Sequence, residues 1–279
     1  MSNAWLLDLD GLTAIIQSLF NIQYIISGLL VGMLVGLTGV GGGSLMTPLI
    51  IFLFGFPAST AVGTDLLFAS ITKGSGVFVH HSKHNSVEWK IVRRLASGSL
   101  PSALMVLGLL EHFGSQNPEV TQIINFSLGI ALILTALSLF FRHHLMKAGQ
   151  KTEAHAPERF AHLQAPLTVA LGIILGALVT LSSVGAGALG TVALLFLYPR
   201  KPTLKIVGTD LAHAIPLTAV AGMGHLYMGN VNFMLLGSLL IGSLPGIYVG
   251  SHLSAKIPER VLRPLLASIL MLIGVKFVW

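Results

Sequence analysis

The chain has 279 residues, of which 53% are hydrophobic and only 9% are charged, with a mean hydropathy of +0.83. Soluble domains carry about 25% charged residues, so this composition excludes an ordinary soluble globule. The net charge of +6 is not a nucleic-acid signal, because the Lys and Arg residues sit in short segments between apolar runs, where they orient a membrane protein. The absence of cysteine removes disulfides and thiolate metal sites.

Residues 1–22 lack a basic stretch ahead of their first apolar residues, which argues against a cleaved signal peptide. Gly11 to Phe20 is too short to span and reads as an interfacial segment. Apolar runs follow at Tyr24–Phe54, Val120–Phe141, Pro166–Tyr198, Val231–Leu253 and Val261–Val278. Each approaches or exceeds the ~20 residues needed to cross a bilayer. The expected class is an all-α polytopic membrane protein.

The chain is written twice. "GVGGGSLMTPLIIFLF" from Gly39 answers to "SVGAGALGTVALLFLY" from Ser183, "VGTDLLFA" from Val62 to "VGTDLAHA" from Val207, and "GSLP" at Gly98 to "GSLP" at Gly242, all at an offset of 144 or 145. Chance likeness between apolar helices does not keep several motifs in register. The expected division is a first repeat over 23–141, a cytoplasmic linker over 142–165 and a second repeat over 166–279. Each repeat reads as one glycine-broken segment followed by three plainer helices.

Basic residues mark the loops Lys83–Arg94, Arg142–Arg159, Arg200–Lys205 and Lys256–Arg263. If each broken segment crossed once, the second repeat would expose its basic loops outside, against the positive-inside bias. If each turns back at its glycines, all basic loops fall inside and the repeats have inverted topology, as in many secondary transporters. The second reading is preferred.

Broken helix is tolerated in a bilayer only where protein or water surrounds it, and free amides at a helix N-terminus attract anions. Val40, Gly41, Gly42, Gly43 and Ser44, with Gly185 and Gly187 from the other repeat, are therefore candidate backbone donors to an anion. Small residues also let membrane helices pack closely, the blander reading of the same glycines. Lys73 lies about two turns beyond Asp65, in an apolar stretch where an ammonium costs at least ~2.5 kcal/mol and normally lines a cavity or finds a partner. It aligns with Thr218, so the charge belongs to one repeat; snorkelling to the interface is the alternative. Thr64 and Thr209 are candidate hydroxyl donors to the same anion. Asp65 and Asp210 read first as N-caps of the apolar helices they precede, and second as proton-coupling acids. His213 and His225 are candidate proton carriers, or simply hydrogen-bonded to neighbours.

His80 and His84 in "HHSKH" are one helical turn apart, a spacing that suits a divalent ion, but Lys83 beside them points to a solvated mouth. No metal or cofactor is assigned. Neither a Walker loop nor a nucleophile elbow occurs in the sequence, so no enzymatic activity is expected.

The motifs "GLTGVGGGSLMTPLI", "VGTDLLFASITK" and "HHSKHNSVEW", with the second copy "VGTDLAHAIPLTAVAGMGHL", resemble those of the TauE/SafE family of sulfite exporters over about Ile25 to Trp279. The chain departs from that pattern at Asp65 and Asp210, where many members carry serine. The resemblance implies about eight transmembrane segments in two related halves, embedded in the bacterial inner membrane. It also implies export of a small sulfur-containing anion such as sulfite, sulfoacetate or another organosulfonate. The expected function is thus a secondary transporter working by alternating access. The rival is a divalent-metal permease using the histidines and both aspartates. The partners are the anion and the bilayer; the sequence leaves the oligomeric state open.

Overall fold

The computed structural model describes residues 21–38, 43–84, 87–115, 117–155, 157–254 and 259–279. Among these the chain is entirely helical, as expected, with ten helices: α1 (Ile22–Thr38), α2 (Gly43–Phe54), α3 (Ala58–His84), α4 (Trp89–Phe113), α5 (Pro118–His155), α6 (Pro157–Ser182), α7 (Ala188–Leu197), α8 (Thr203–Tyr227), α9 (Phe233–Ser254) and α10 (Glu259–Val278). Four stretches, Pro118–Lys151, Ala161–Ser182, Thr203–Tyr227 and Phe233–Leu253, are long and apolar enough to cross a membrane. Helices α1, α2 and α7 are apolar but shorter.

Polarity is distributed as a bilayer solvent dictates. Leu104, Met105, Phe126, Ile174 and Leu272 are exposed, whereas Thr47, Asp65, Lys73, Ser99, Asp210 and His213 are buried. Charged and polar side chains of a membrane protein belong in the bundle interior, where they find partners.

The closest packing is made by glycine. In α1, Gly28, Gly32 and Gly36 lie against the backbone carbonyls of Leu239, Ser243 and Ile247 of α9; in return Gly242, Gly246 and Gly250 lie against those of Ile25, Leu29 and Met33. A Cβ at any of these positions would fall on a carbonyl oxygen. Two small-residue stripes at four-residue spacing thus bring parallel helices into backbone contact. A similar seam joins α4 to α6: Gly98 meets Val169, Gly172 meets Leu95 and Gly176 meets Ser99, while Ser102 Oγ donates to the Ile173 carbonyl at 2.8 Å. These pairs join the broken segment of one repeat to the middle helix of the other.

The helices that carry matching motifs meet one another antiparallel. Gly63 of α3 lies against His225 and Asn230 at the end of α8, and Gly222 against Leu67. Likewise Gly129 of α5 lies against Phe277 and Val278 of α10, and Gly274 against Ile133.

Within the polar stretch assigned as a linker, α5 runs to His155 and α6 starts at Pro157, and Gly149 packs on the Phe196 carbonyl of α7. One expectation needs amendment: Asp65 and Asp210 do not cap their own helices, since α3 begins at Ala58 and α8 at Thr203, well upstream of each acid. Of the proposed interfacial segment, residues 1–20 lie outside the described residues.

The halves are also tied by an ion-pair cluster ahead of α4. Glu88 accepts hydrogen bonds from Lys201 at 2.9 Å and Lys205 at 3.3 Å. The Lys201 hydrogen bond, aided by Lys205, holds the Glu88 carboxyl below its usual range. A depressed carboxylate stabilises the fold above its unfolded value and loses that contribution as pH falls through the folded value. The lysines are 41% and 43% exposed, so the contribution is at most about 1 kcal/mol. Glu88→Gln should lower the melting temperature in detergent at neutral pH by about 2–3 °C. The gap from wild type should close in about 1 M salt and in acid; a gap that persists there would mean that packing, not charge, had been lost.

Candidate functional site

The site is built where the second broken segment meets α3. After Ser182 the backbone leaves the helix, with Ser183 at φ 59°, Gly185 at 119° and Gly187 at 123°. Glycine adopts such angles without a Cβ clash, which explains Gly185 and Gly187; Ser183 adopts one despite its side chain. The turn is held by Ser182, whose Oγ accepts from the Val184 amide at 3.2 Å and donates to the Leu178 carbonyl at 2.6 Å. Helix α7 then begins at Ala188 with Gly187 as its N-cap residue, and the Gly187 and Thr191 amides hydrogen-bond the Asp210 carboxylate. In the first repeat, Val40, Gly41 and Gly42 lie outside the described residues, Gly43 opens α2 and Ser44 is half-buried.

Lys73 of α3 reaches this break. It is buried, and its Nζ donates to the Ala186 carbonyl at 3.0 Å. The ammonium does not snorkel; it satisfies an acceptor freed by the interruption in the other repeat. Its counterpart Thr218 bonds the Ala214 carbonyl of its own helix at 2.8 Å, so the charge is one-sided.

The aspartates are placed symmetrically. Thr47 of α2 donates to Asp65 Oδ2 at 2.5 Å, and Thr191 of α7 donates to Asp210 Oδ2 at 2.7 Å. Each acid therefore braces the first turns of a short helix. Gly190 of α7 leaves the space that Asp210 Oδ1 fills. Both carboxylates are fully buried, both lie within the electrostatic reach of Lys73, and in each the Oδ1 atom has no hydrogen-bond partner within 3.5 Å among the described residues. The buried Ser183 hydroxyl interacts with the Asp65 carboxylate, and the Gly187 and Thr191 amides with that of Asp210.

The other expected residues are engaged elsewhere. Thr64 Oγ1 accepts from the Asn232 amide at 3.1 Å, and Thr209 Oγ1 from the Glu88 amide at 2.9 Å. Their hydroxyls secure the starts of α9 and α4. The His213 Nε2 pairs with Ser99 Oγ at 2.8 Å, and the ring lies within electrostatic reach of Lys73. The His225 ring nitrogen Nε2 donates to the Thr180 carbonyl at 3.0 Å. Among the described residues no group of three or more His, Asp or Glu side chains could hold a metal ion; the side chains of His80, His81 and His84 lie outside them.

Thr47, Thr191, Ser183 and Ala186 are the site residues that sequence reasoning missed. A signal existed for the threonines, since "SLMTPL" and "ALGTVAL" place them in register between the repeats. No comparable signal marks Ser183, which aligns with Gly39.

The comparisons agree with a transport protein. A family described as "Sulfite exporter TauE/SafE" matches residues 24–277. A "Probable membrane transporter protein YjnA" of Bacillus subtilis is 40% identical over 262 residues, covering 92% of this chain and 100% of the relative. "Probable membrane transporter protein YdhB" of the same organism is 27% identical, covering 87% of this chain and 96% of its own. "Probable membrane transporter protein MJ0441" of Methanocaldococcus jannaschii is 29% identical, covering 90% and 92%. No solved structure matches the chain. The extent of these matches, together with buried polar groups inside an apolar helical bundle, places the chain in the TauE/SafE sulfite exporter family, as a multi-pass membrane transporter.

Proposed function

We propose that the protein is a secondary transporter exporting a small sulfur-containing oxyanion, such as sulfite, sulfoacetate or a related organosulfonate, across the bacterial inner membrane. The observation that carries this reading is Lys73 from one repeat meeting the glycine-broken start of α7 in the other. A buried ammonium at a helix N-terminus, with the Ser183 hydroxyl beside Asp65, suits an oxyanion. Gly185 and Gly187 shape this cradle. On this reading the hydroxyls of Thr64 and Thr209 serve to position α9 and α4.

The antiparallel meeting of α3 with α8 and of α5 with α10 supports inverted repeats whose broken segments turn back. All basic loops then fall on the cytoplasmic side. There Lys90, Arg93, Arg94 and Ser97 line a cavity of about 470 Å³, whose positive field would concentrate anions at the inner mouth. An inside-negative potential drives each exported charge by ~2.3 kcal/mol per 100 mV. A metal permease is disfavoured by the ammonium at the centre of the site.

The test is radiolabelled sulfite flux through reconstituted proteoliposomes. Saturable flux above empty liposomes is expected. If folded protein moves neither sulfite nor an organosulfonate, the anion reading fails; divalent-metal flux in the same vesicles would put the rival in its place.

A further inference from the structure

Building on the anion reading, we propose that Asp65 and Asp210 carry the protons that travel with the substrate, making the protein an anion–proton symporter. The balance of charge leads there. With every group ionised, the buried site holds two carboxylates and one ammonium, a surplus of one negative charge before any substrate enters. Adding an anion to a water-excluded site that is already negative is opposed by Coulomb repulsion that little solvent screens. Like charges crowded into one site do not all stay ionised. A site that accepts an anion must therefore take up at least one proton with it.

The geometry names the atoms. In each acid Oδ2 accepts a threonine hydroxyl, from Thr47 or Thr191, while Oδ1 is buried with no hydrogen-bond partner within 3.5 Å among the described residues. A proton on Oδ1 removes the surplus charge and converts an unsatisfied acceptor into an O–H donor, which can bond an oxygen of the bound anion. On one side of the membrane the proton joins Oδ1 as the anion binds; on the other it leaves to water as the anion departs. No other charge is created. The remaining titratable groups near the two acids, among the described residues, are Lys73 on α3 and His213 on α8, the latter paired with Ser99 of α4. The elements packed around them present hydroxyls: Thr47 on α2, Thr191 on α7 and Ser183 at the end of α6.

The test is calorimetric sulfite binding to purified protein in buffers of different ionisation enthalpy, at a pH where sulfite itself is fully ionised. Wild type should take up about one proton per anion, with affinity falling about tenfold per pH unit as pH rises. Asn at either position keeps an acceptor for the threonine and mimics the protonated acid. Asp65→Asn and Asp210→Asn should bind sulfite with a weaker pH dependence, and the double variant with no proton uptake. Sulfite binding by wild type without proton uptake overturns the coupling and leaves the anion site standing, as does uptake unchanged in a double variant that melts like wild type. Absence of sulfite binding by folded wild type overturns the anion reading itself, and the coupling with it.

Discussion

Lys73→Ala should abolish saturable sulfite flux. The ammonium is the one buried Lys or Arg charge among the described residues, and a hydrogen bond to a charged group is worth roughly 1.5–3 kcal/mol, or about 10- to 100-fold in anion affinity. Lys73→Met, which keeps the apolar stem, should lose transport to the same extent, separating charge from packing. Stability should fall as well, because removing the ammonium leaves two buried carboxylates without their counter-charge and the Ala186 carbonyl without its donor, so flux is read on variants shown to be folded. Sulfite flux undiminished in both variants would show that the anion passes elsewhere. Divalent-metal flux gained in Lys73→Ala would favour the rival permease.

Gly242→Ala should damage the fold rather than the chemistry. A Cβ there would fall on the Ile25 carbonyl oxygen of α1 and crowd the Leu29 amide. Both neighbours are backbone, so relief requires the helices to separate along the whole seam. The cost should reach about 3 kcal/mol, the upper end of overpacking effects. Gly108→Ala is the control, since nothing lies within 4 Å of its added Cβ. It should be neutral or slightly stabilising, because alanine favours helix by up to ~1 kcal/mol. Thermal unfolding in detergent reads both variants, and equal melting temperatures would mean that the α1–α9 seam does not hold the fold together.

The sequence showed some of this and concealed the rest, for physical reasons. The helical, membrane-embedded class follows from apolar run lengths that nothing but a bilayer accommodates. The importance of Asp65 and Asp210 was visible in the repeated "VGTDL", but their capping role was misjudged. Thr203–Lys205, the first residues of α8, read as the end of the basic loop Arg200–Lys205, which hid how far upstream of Asp210 its helix starts. Close packing by glycine was weighed only at the breaks. The spacing of Gly28, Gly32 and Gly36, and of Gly242, Gly246 and Gly250, is a packing pattern, but the partner of each stripe depends on the tertiary fold. The bond from Lys73 to Ala186 joins different repeats, and no local periodicity encodes it. Sequence located the residue; only the fold supplied the acceptor.

The seam between α1 and α9 also bears on how the protein is made. Helix α1 leaves the ribosome well before α9, which carries the stripe that closes over Gly28, Gly32 and Gly36. Until Phe233–Ser254 has been inserted, the first helix must wait in the membrane with its glycine face against lipid or against an insertion factor. The α4–α6 seam, by contrast, forms between segments synthesised close together. Contacts of long sequence separation form late, so the clasp between α1 and α9 should close late in assembly. A chain truncated before α9 would leave the glycine face of α1 without its partner, an exposed target for membrane quality-control proteases.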